Sequence, residues 1–383
     1  MLKLIKGGKV YAPQEMGECD ILIANDCILA VGKDIDITGP ALECETYDAR
    51  GMYVLPGIID PHVHTIGGGG AVGLNSRVGD LAVERIVEAG VTTVVGCLGF
   101  DRVSKSLRSL LMKTLALNEQ GISAYMMSGS YNLPSLTVTG SVEEDLVLLE
   151  KVIGVKLSLG ESLGNWPGPE QIKNLLAECL RGSKLSGKVG FLQVHLGVAG
   201  PGWQYRLIEI CKEMSLKPSM VVFTHCNRNT SILSEASEYA KAGGIIDLTA
   251  SFSNEEKPGS LSVYESLIRL QKESVPLDAI TVSSDSNATR ELPDGTMKYL
   301  PISTIYAVMM HLFREGPLRK EEVVSLFTKN CARVIGVDAT KGSLEPKKEA
   351  DIIMLDENLR LVSVLARGEW AVKDNETLIK TEW

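Results

Sequence analysis

The chain has 383 residues, of which 44% are hydrophobic and 23% are charged, and its formal net charge is −9. This length predicts one large domain with an appendage, or two domains, and the composition is ordinary for a globular protein. Because the balance is acidic and no long block of Lys and Arg occurs, nucleic-acid binding is not expected.

The N-terminal segment MLKLIKGGKVYAP contains charges and a turn, which is not typical of a signal peptide. No apolar run approaches the roughly 20 residues that span a bilayer, so no membrane segment is expected. The eight cysteines are scattered without a CxxC pair, a pattern typical of reduced and mostly buried thiols. These features favour the cytoplasm.

Both ends of the chain are predicted to be rich in β-strands. Residues 1–54 alternate apolar and polar positions and contain Gly-Lys turns, which favours strands over helices. The tail, GSLEPKKEADIIMLDENLRLVSVLARGEWAVKD, has the same character. We therefore predict that residues 1–54 and 338–383 form one small β-sandwich domain.

The middle of the chain, residues 55–337, alternates strand-like and helix-like segments. The strand candidates are MYVLPGIID, VTTVVGCLG, ISAYMMSGS, VIGVKLSL, VGFLQVHLG, SMVVFTHC, GIIDLTA and AITVSSD, with helical periods such as PEQIKNLLAECLRG and SVYESLIRLQKES between them. Apolar strands joined by helical crossovers indicate a parallel sheet that is buried on both faces. Eight such strands predict an α/β fold, a closed (β/α)8 TIM barrel.

Four of the five histidines lie at the ends of predicted barrel strands. His62 and His64 end the first strand, and residues two apart on a strand point to the same face, so both can reach one metal ion. His195 ends the fifth strand and His225 the sixth. The fifth histidine, His311, falls in a helical stretch and is interpreted as a packing or surface residue.

A lysine and an aspartate complete this set. Lys156 lies in the fourth strand, where it either reaches the barrel rim or, as a carbamate formed with carbon dioxide, bridges two metal ions. Asp285 ends the eighth strand, and catalytic residues of this fold lie at the carboxyl ends of strands. Two ions about 3.5–4 Å apart can share a bridging hydroxide and polarise a carbonyl. Asp285 would take the proton from this water and pass it to the leaving amine.

In their order along the chain, these residues resemble the amidohydrolase superfamily. The segment PGIIDPHVH resembles its first-strand signature, and EADIIMLDENL resembles the return into its small β domain. Within the superfamily, HVHTIGGGG, TTVVGCLGFD, SGSYNLP, GVKLS, THCNRN and SSDSN resemble isoaspartyl (β-aspartyl) dipeptidases. The resemblance implies a metal-dependent dipeptidase with two divalent ions, for which zinc is the expected metal.

The resemblance also implies particular site residues. Tyr131 would polarise the scissile carbonyl or stabilise the oxyanion, and Arg228 would hold a substrate carboxylate. The glycine run that includes Gly69 would permit close approach of substrate to the backbone. The implied metal ligands, with carbamylated Lys156 as the bridge, are His62, His64, Lys156, His195, His225 and Asp285.

Four positions depart from the dipeptidase pattern. Ala71 replaces a glutamate that would receive the α-amino group of the substrate, and Phe100 replaces a threonine. Leu163 replaces an arginine that would grip a second carboxylate, while Thr289 replaces a serine and keeps a hydroxyl. An unpaired ammonium beside Ala71 and Phe100 would be costly. We therefore expect a small amide or dipeptide that lacks a free α-amine and has a less anionic leaving portion.

Other hypotheses stay open. The same metal ligands suit a cyclic-amide hydrolase of the dihydroorotase or hydantoinase kind, or an N-acyl amino acid amidase. A deaminase is less consistent, because mononuclear deaminases need no bridging lysine. A non-catalytic homologue that binds or scaffolds partners would usually have lost ligands, whereas all six are present here. The family resemblance also suggests a closed homo-oligomer.

Overall fold

The computed structural model describes residues 1–37, 43–164, 166–199 and 202–381. The chain begins with strands that belong to a sheet built from both termini. These strands are β1 (Leu2–Tyr11), β2 (Glu15–Ala24), β3 (Cys27–Gly32), β4 (Cys44–Asp48) and β5 (Tyr53–Pro56).

Eight parallel strands follow and pair in chain order. They are β6 (Ile58–Val63), β7 (Val91–Gly96), β8 (Ser123–Gly129), β9 (Val152–Leu159), β10 (Phe191–Leu196), β11 (Val221–Thr224), β12 (Ile245–Thr249) and β13 (Ile280–Ser283). The last strand meets the first through a parallel bridge between Val63 and Ser286, and the Asp285 amide donates to the His62 carbonyl at 3.1 Å. The predicted (β/α)8 barrel is confirmed.

The barrel strands are almost entirely buried, which explains their continuous apolar sequences. Every residue of β6, β7, β9 and β10 is buried. The helices that cover them are α1 (Val83–Val87), α2 (Leu107–Glu119), α3 (Val142–Leu148), α4 (Pro169–Ser186), α5 (Trp203–Glu213), α6 (Thr230–Lys241), α7 (Val263–Lys272), α8 (Ser303–Glu315), α9 (Lys320–Phe327) and α10 (Lys329–Ile335). Apolar residues of these helices and of the outer faces of the strands form one continuous core.

The spacing of apolar residues and the capping residues explain why the helices form where they do. In α7, Val263, Ser266, Leu267 and Leu270 are buried, which is the spacing of one helical face. Ser262 caps this helix by accepting from the Glu265 amide, and the Glu265 side chain reciprocates, as in a capping box. The short helix α3 was not predicted; its signal is Ser141, which caps it, followed by three acidic residues in the first turn.

Past the barrel strands, β14 (Ala288–Glu291) and β15 (Met297–Leu300) form a two-stranded ribbon, and β16 (Ile352–Leu355), β17 (Leu361–Ala366), β18 (Glu369–Lys373) and β19 (Glu376–Thr377) return to the first sheet. That sheet has nine strands in the order β19-β18-β17-β16-β5-β1-β2-β3, with β4 paired to β1. Both termini therefore build one sheet, as predicted. The boundaries at residues 54 and 338 stay a prediction.

The predicted first barrel strand, MYVLPGIID, is in fact two strands. Tyr53–Pro56 pairs with β16 and β1 of the terminal sheet, and only Ile58–Val63 enters the barrel. Gly57 lies at the crossing point, where its amide donates to the Asp351 carbonyl at 2.9 Å. A Cβ atom at Gly57 would lie 2.3 Å from Thr92 Oγ1, so only glycine fits there.

The bottom of the barrel is closed by α10. Cys331, Ala332 and Ile335 of this helix pack against apolar side chains such as Ile153 and Phe191, near the starts of their strands. The metal-binding candidates lie towards the opposite, carboxyl ends. Among the described residues, no helix combines the length and the apolar composition that crossing a bilayer requires.

A buried ion pair ties the end of the barrel to the terminal sheet. Lys341, whose side chain is 1% exposed, lies 2.6 Å from Glu349 and 2.6 Å from Asp351. Asp351 also accepts a hydrogen bond from the Arg367 amide at 2.8 Å. Removing the lysine leaves a buried carboxylate without its cation, which is strongly destabilising.

We expect Lys341→Ala to lower the free energy of unfolding by about 3 kcal/mol, because a buried charge then lacks its partner. Urea denaturation followed by circular dichroism measures this change. The matched control is Lys212→Ala, which removes an exposed pair with Glu209 and should change stability by less than about 0.5 kcal/mol. Equal stability of the two variants would contradict the role of Lys341.

Candidate active site

The structure brings all six predicted metal ligands together at the mouth of the barrel. Three of them lie within β6, β9 and β10, and the other three lie one or two residues beyond β6, β11 and β13. All are buried except Asp285, whose side chain is 18% exposed. They are His62, His64, Lys156, His195, His225 and Asp285.

One half of the cluster is built around Asp285. Its Oδ1 atom lies 3.5 Å from His62 Nε2 and 3.3 Å from His64 Nε2. The Lys156 ammonium nitrogen lies 3.0 Å from His62 Nε2. Two imidazoles, a lysine and a carboxylate therefore face one point of the barrel interior.

The other half contains the two histidines of β10 and β11. His225 Nε2 and His195 Nδ1 are 2.9 Å apart, and Asp285 Oδ2 lies 4.0 Å from the His225 ring. Asp285 thus stands between both pairs of histidines. The ligand atoms of His62, His225 and Asp285 all lie within 4.8 Å of one another, a spacing that a bound cation can bridge.

The backbone is unusual where these ligands are held. His225 has φ 68°, Asp285 has φ 51° and Asn287 has φ 59°, in the left-handed region that residues other than glycine seldom adopt. Such conformations cluster at functional sites, where surrounding contacts enforce them. The Asn287 side chain supplies such contacts, because it donates to the carbonyls of His64 at 2.8 Å and Gly79 at 3.0 Å.

Two buried carboxylates support the site from inside the barrel. Asp60 accepts from the amides of His62 at 3.3 Å and Ser284 at 3.1 Å, and burial raises its pKa to about 7. Asp247 accepts from three hydroxyls that line the barrel, and burial raises its pKa to about 6. These hydroxyls belong to Thr224, Thr281 and Ser283.

Two of the four histidines are already in the form that binds metal. Burial lowers the pKa of His225 well below its usual range and that of His195 to about 3, so both rings are neutral, the form that binds metal. At His64, Cys97 and Asp285 outweigh burial and raise the pKa to about 9, so this ring must release a proton when a metal ion binds. His62 Nδ1 is buried without a hydrogen-bond partner among the described residues. Imidazoles and a carboxylate in this arrangement fit divalent metal ions.

Cys97, which lies one residue past β7, was not predicted as a site residue. Its sulfur is 3.1 Å from the Lys156 nitrogen and 3.8 Å from His64 Nδ1. Despite burial, the neighbouring His62 and Lys156 charges hold its pKa well below the usual range. Its position at a strand end of the barrel is the one signal that could have revealed it. Cys226, next to His225, is also buried, and its thiol donates to the Phe223 carbonyl at 3.1 Å.

A pocket of about 290 Å³ opens above the ligand cluster. It is lined by every residue that was expected to contact substrate: Gly69, Ala71, Phe100, Tyr131, Arg228 and Thr289. Leu163 also lines it, with 48% of the residue exposed. His311 is not among the residues that line this pocket; it lies in α8, where its ring contacts that of Tyr264.

Tyr131 and Arg228 approach the cluster from the same side. The Tyr131 hydroxyl and an Arg228 guanidinium nitrogen each lie 3.4 Å from His195 Nε2. Burial raises the pKa of Tyr131 well above its usual value, so the phenol keeps its proton and can donate it in a hydrogen bond. The Phe100 ring stands edge-on to Tyr131, with centroids 6.1 Å apart.

Gly69 and Thr289 hold the loop that covers one side of the pocket. Gly69 has φ 87°, and a Cβ atom there would lie 2.0 Å from the Ser76 carbonyl oxygen. The Thr289 hydroxyl donates to that same oxygen at 2.6 Å. Its hydrogen is therefore already used within the protein, and Thr289 fixes the loop.

Four further pocket residues were not predicted from the sequence. Glu161 lies 3.6 Å from His195, and Phe252, Lys257 and Arg290 line the wall beyond Arg228. All four follow barrel strands, at the end where this fold builds its active sites. Their sequences, LGESLG, SFSNEEKPG and NATREL, carry no motif that identifies them.

Comparison with known proteins agrees with this geometry. The amidohydrolase family model matches residues 215–376. The crystal structure of β-aspartyl dipeptidase from the thermophile Fervidobacterium islandicum AW-1 is similar with a TM-score of 0.90 and 32% sequence identity, and the match covers 100% of both chains. A dihydroorotase from Aquifex aeolicus is 25% identical over 433 residues, which is 100% of this chain and 94% of that protein.

More distant structures share the fold alone. Dihydropyrimidinase from Brevibacillus agri has a TM-score of 0.71 at 17% identity, over 99% of this chain and 96% of that one. The barrel, the buried ligand cluster and the pocket define a hydrolase of the (β/α)8 class. The chain belongs to the amidohydrolase superfamily, and both its sequence and its structure resemble a β-aspartyl dipeptidase.

Proposed function

We propose that this protein is a binuclear metal-dependent amidohydrolase that cleaves the side-chain amide bond of a β-aspartyl-type compound. The observation that carries the proposal is the convergence of four imidazoles, Lys156 and Asp285 below a pocket that contains Tyr131 and Arg228. The related dipeptidase of F. islandicum has also been crystallised with a β-Asp-Leu dipeptide, and that structure is similar with a TM-score of 0.89.

The metal centre of this proposal contains two divalent ions, with zinc as the expected metal. His62 and His64 would hold one ion, and His195 and His225 would hold the other. Carbamylated Lys156 would be the ligand that they share, since a bare ammonium 3.0 Å from an imidazole nitrogen offers no ligand atom, whereas a carbamate offers two oxygens. When bound, the ions supply an acidified water and polarise the substrate carbonyl.

The protein side chains then bind, orient and move protons. Asp285, which faces both histidine pairs, accepts the proton of the attacking water and delivers it to the leaving nitrogen. Tyr131 donates a hydrogen bond to the developing oxyanion. Arg228 binds a substrate carboxylate, because its guanidinium has a buried Nε without a partner among the described residues and faces the pocket.

The substrate of this enzyme lacks a free α-ammonium group. The pocket wall at Ala71 and Phe100 offers no carboxylate to receive one, and both of its acidic residues, Glu161 and Asp285, already face histidines. An unpaired ammonium in such a wall loses solvation without compensation. N-acylated or deaminated β-aspartyl amides fit this pocket better than free β-aspartyl dipeptides.

A cyclic-amide hydrolase is the second candidate. The full-length similarity to a dihydroorotase favours it, and cyclic amides also lack an ammonium. An N-acyl amino acid amidase would use the same centre. A scaffold without catalysis is disfavoured, because all six ligand positions are filled and adjacent.

A reducing compartment such as the cytoplasm is part of the proposal. All eight cysteines are free thiols, and six of them are buried. The homo-oligomer suggested by the family resemblance stays a prediction.

A substrate panel tests the proposed function directly. The purified, zinc-loaded protein is assayed with β-Asp-Leu, N-acetyl-β-Asp-Leu, N-succinyl-leucine, dihydroorotate and hydantoin, with ninhydrin or mass spectrometry as the readout. We expect turnover of N-succinyl-leucine, which is β-Asp-Leu without its amine, to exceed that of β-Asp-Leu. Opening of dihydroorotate without cleavage of any linear amide would instead establish the cyclic-amide candidate. No metal-dependent turnover of any compound would refute the proposed function.

Lys156→Ala tests the bridging carbamate. We expect loss of at least one metal ion per chain and a fall in kcat of more than about 100-fold, because the two ions lose their shared ligand. Short carboxylic acids such as propionate should restore part of the activity by replacing the carbamate. Metal content is measured by inductively coupled plasma mass spectrometry after dialysis, with the exposed Lys272→Ala as the control. Full metal content in Lys156→Ala would show that Lys156 is not the bridging ligand.

Asp285→Asn tests the proton shuttle. The amide is close in shape to the carboxylate, so we expect an unchanged circular dichroism spectrum, while kcat falls by about 10³-fold because proton transfer is lost. Steady-state kinetics at saturating substrate measure this. A variant that kept more than a tenth of the wild-type kcat would show that another group carries the proton.

A further inference from the structure

Three cations surround one aromatic ring at the wall of the pocket. Phe252, in the loop after β12, has the Lys257 ammonium 4.6 Å from its ring centroid, the Arg290 guanidinium carbon at 4.9 Å and that of Arg228 at 5.6 Å. All four residues line the pocket above the ligand cluster. Leu163, which replaces the arginine expected for a second carboxylate, lines the same pocket.

The three cations differ in how many hydrogen-bond and ion-pair partners they have within the protein. Arg290 donates to the Ser251 carbonyl at 2.6 Å and to its hydroxyl at 2.8 Å, and it lies 3.5 Å from Glu256. Glu256 is further neutralised by an ion pair with Lys298. Arg290 is therefore a fixed charge that holds the loop.

Lys257 is the cation without an anionic partner. Among the described residues it forms no ion pair, and its ammonium group lies over the Phe252 ring. Burial, together with repulsion from Arg228 and Arg290, lowers its pKa to about 7, against the opposing effect of Asp285 and Glu161. Three like charges gathered around one ring are unfavourable unless an anion joins them.

We propose that Lys257, beside the fixed charge of Arg290, binds a second carboxylate of the substrate and so replaces the grip that Leu163 cannot provide. Arg228 binds the first carboxylate. The substrate class is then a small amide that carries two carboxylates, one on the acyl portion and one on the leaving amino acid. This inference rests on the proposed function, and it replaces the expectation from sequence that the leaving portion is less anionic.

Two alternative explanations of Lys257 predict different experimental results. If Lys257 is only a solvated rim residue, its removal changes neither binding nor turnover of anionic compounds. If the second carboxylate is held elsewhere in the pocket, the enzyme still prefers dianions, but the preference survives removal of Lys257. A matched pair of substrates separates these cases, because N-succinyl-leucine has two carboxylates and N-succinyl-leucinamide has one.

The experiment compares wild type with Lys257→Met, Lys257→Arg and the control Lys272→Met, a lysine exposed in the last turn of α7. For N-succinyl-leucine we expect the Lys257→Met KM to rise roughly tenfold or more, because a charge-assisted hydrogen bond to the second carboxylate is lost. For N-succinyl-leucinamide the KM should stay within about threefold. Lys257→Arg should restore most of the lost affinity, and Lys272→Met should match wild type.

Equilibrium binding separates failure of this inference from failure of the proposed function. Titration calorimetry of the zinc-loaded protein with pimelate, whose two carboxylates are separated by five chain atoms as in N-succinyl-leucine, measures dicarboxylate binding without turnover, and Lys257→Met should bind it at least tenfold more weakly than wild type. If no amide is hydrolysed but pimelate binding falls in this way, the carboxylate site stands and the proposed reaction is wrong. Unchanged pimelate binding, or an unchanged KM for N-succinyl-leucine in a folded Lys257→Met protein, overturns the inference.

Discussion

Burial of four imidazoles, a lysine and a carboxylate at one point is the constraint on which the rest of this structure depends. Polar groups removed from water cost free energy unless a partner compensates them. Within the described residues the six side chains face one another, and one imidazole nitrogen of His62 has no partner at all. A cation at their centre would compensate the buried Asp285 carboxylate and the imidazole nitrogens that face it. The barrel supplies the scaffold for this arrangement, since its strands bring distant residues to one end.

The backbone conformation around the cluster also helps to hold these side chains in place. Asp285 and His225 adopt left-handed conformations, which persist only where surrounding contacts enforce them. The enforcing contacts are visible: the Asp285 amide donates to the His62 carbonyl, and Asn287 fixes the loop that begins at His64. These bonds also join the last barrel strand to the first. Closure of the barrel and positioning of the ligands are therefore achieved by the same few hydrogen bonds.

The sequence predicted the barrel and its ligands because both obey strong local rules. Eight apolar strands have a clear pattern, and histidines are so scarce that four at strand ends carry much information. Sequence predicted the pocket wall less well. The break at Gly57 depends on a contact with Thr92, far along the chain. The roles of Cys97, Lys257 and Arg290 depend on contacts with residues of other strands and loops. From the sequence SFSNEEKPG alone, Lys257 would be predicted to be an ordinary surface lysine.

The position of Lys257 bears on how such a barrel changes its substrate. The proposed metal ligands lie on strands and strand ends, where each side chain is fixed by the barrel, whereas the charges that line the pocket wall lie on the loops beyond them. Leu163 follows β9 and Lys257 follows β12, so the exchange of a cation between these loops leaves the six clustered side chains untouched. The arrangement of charges that the pocket prefers on a substrate can then change without a change in the cluster below it. Because Phe252 presents one ring to cations from three separate segments, it offers a new positive charge a favourable contact at the pocket wall.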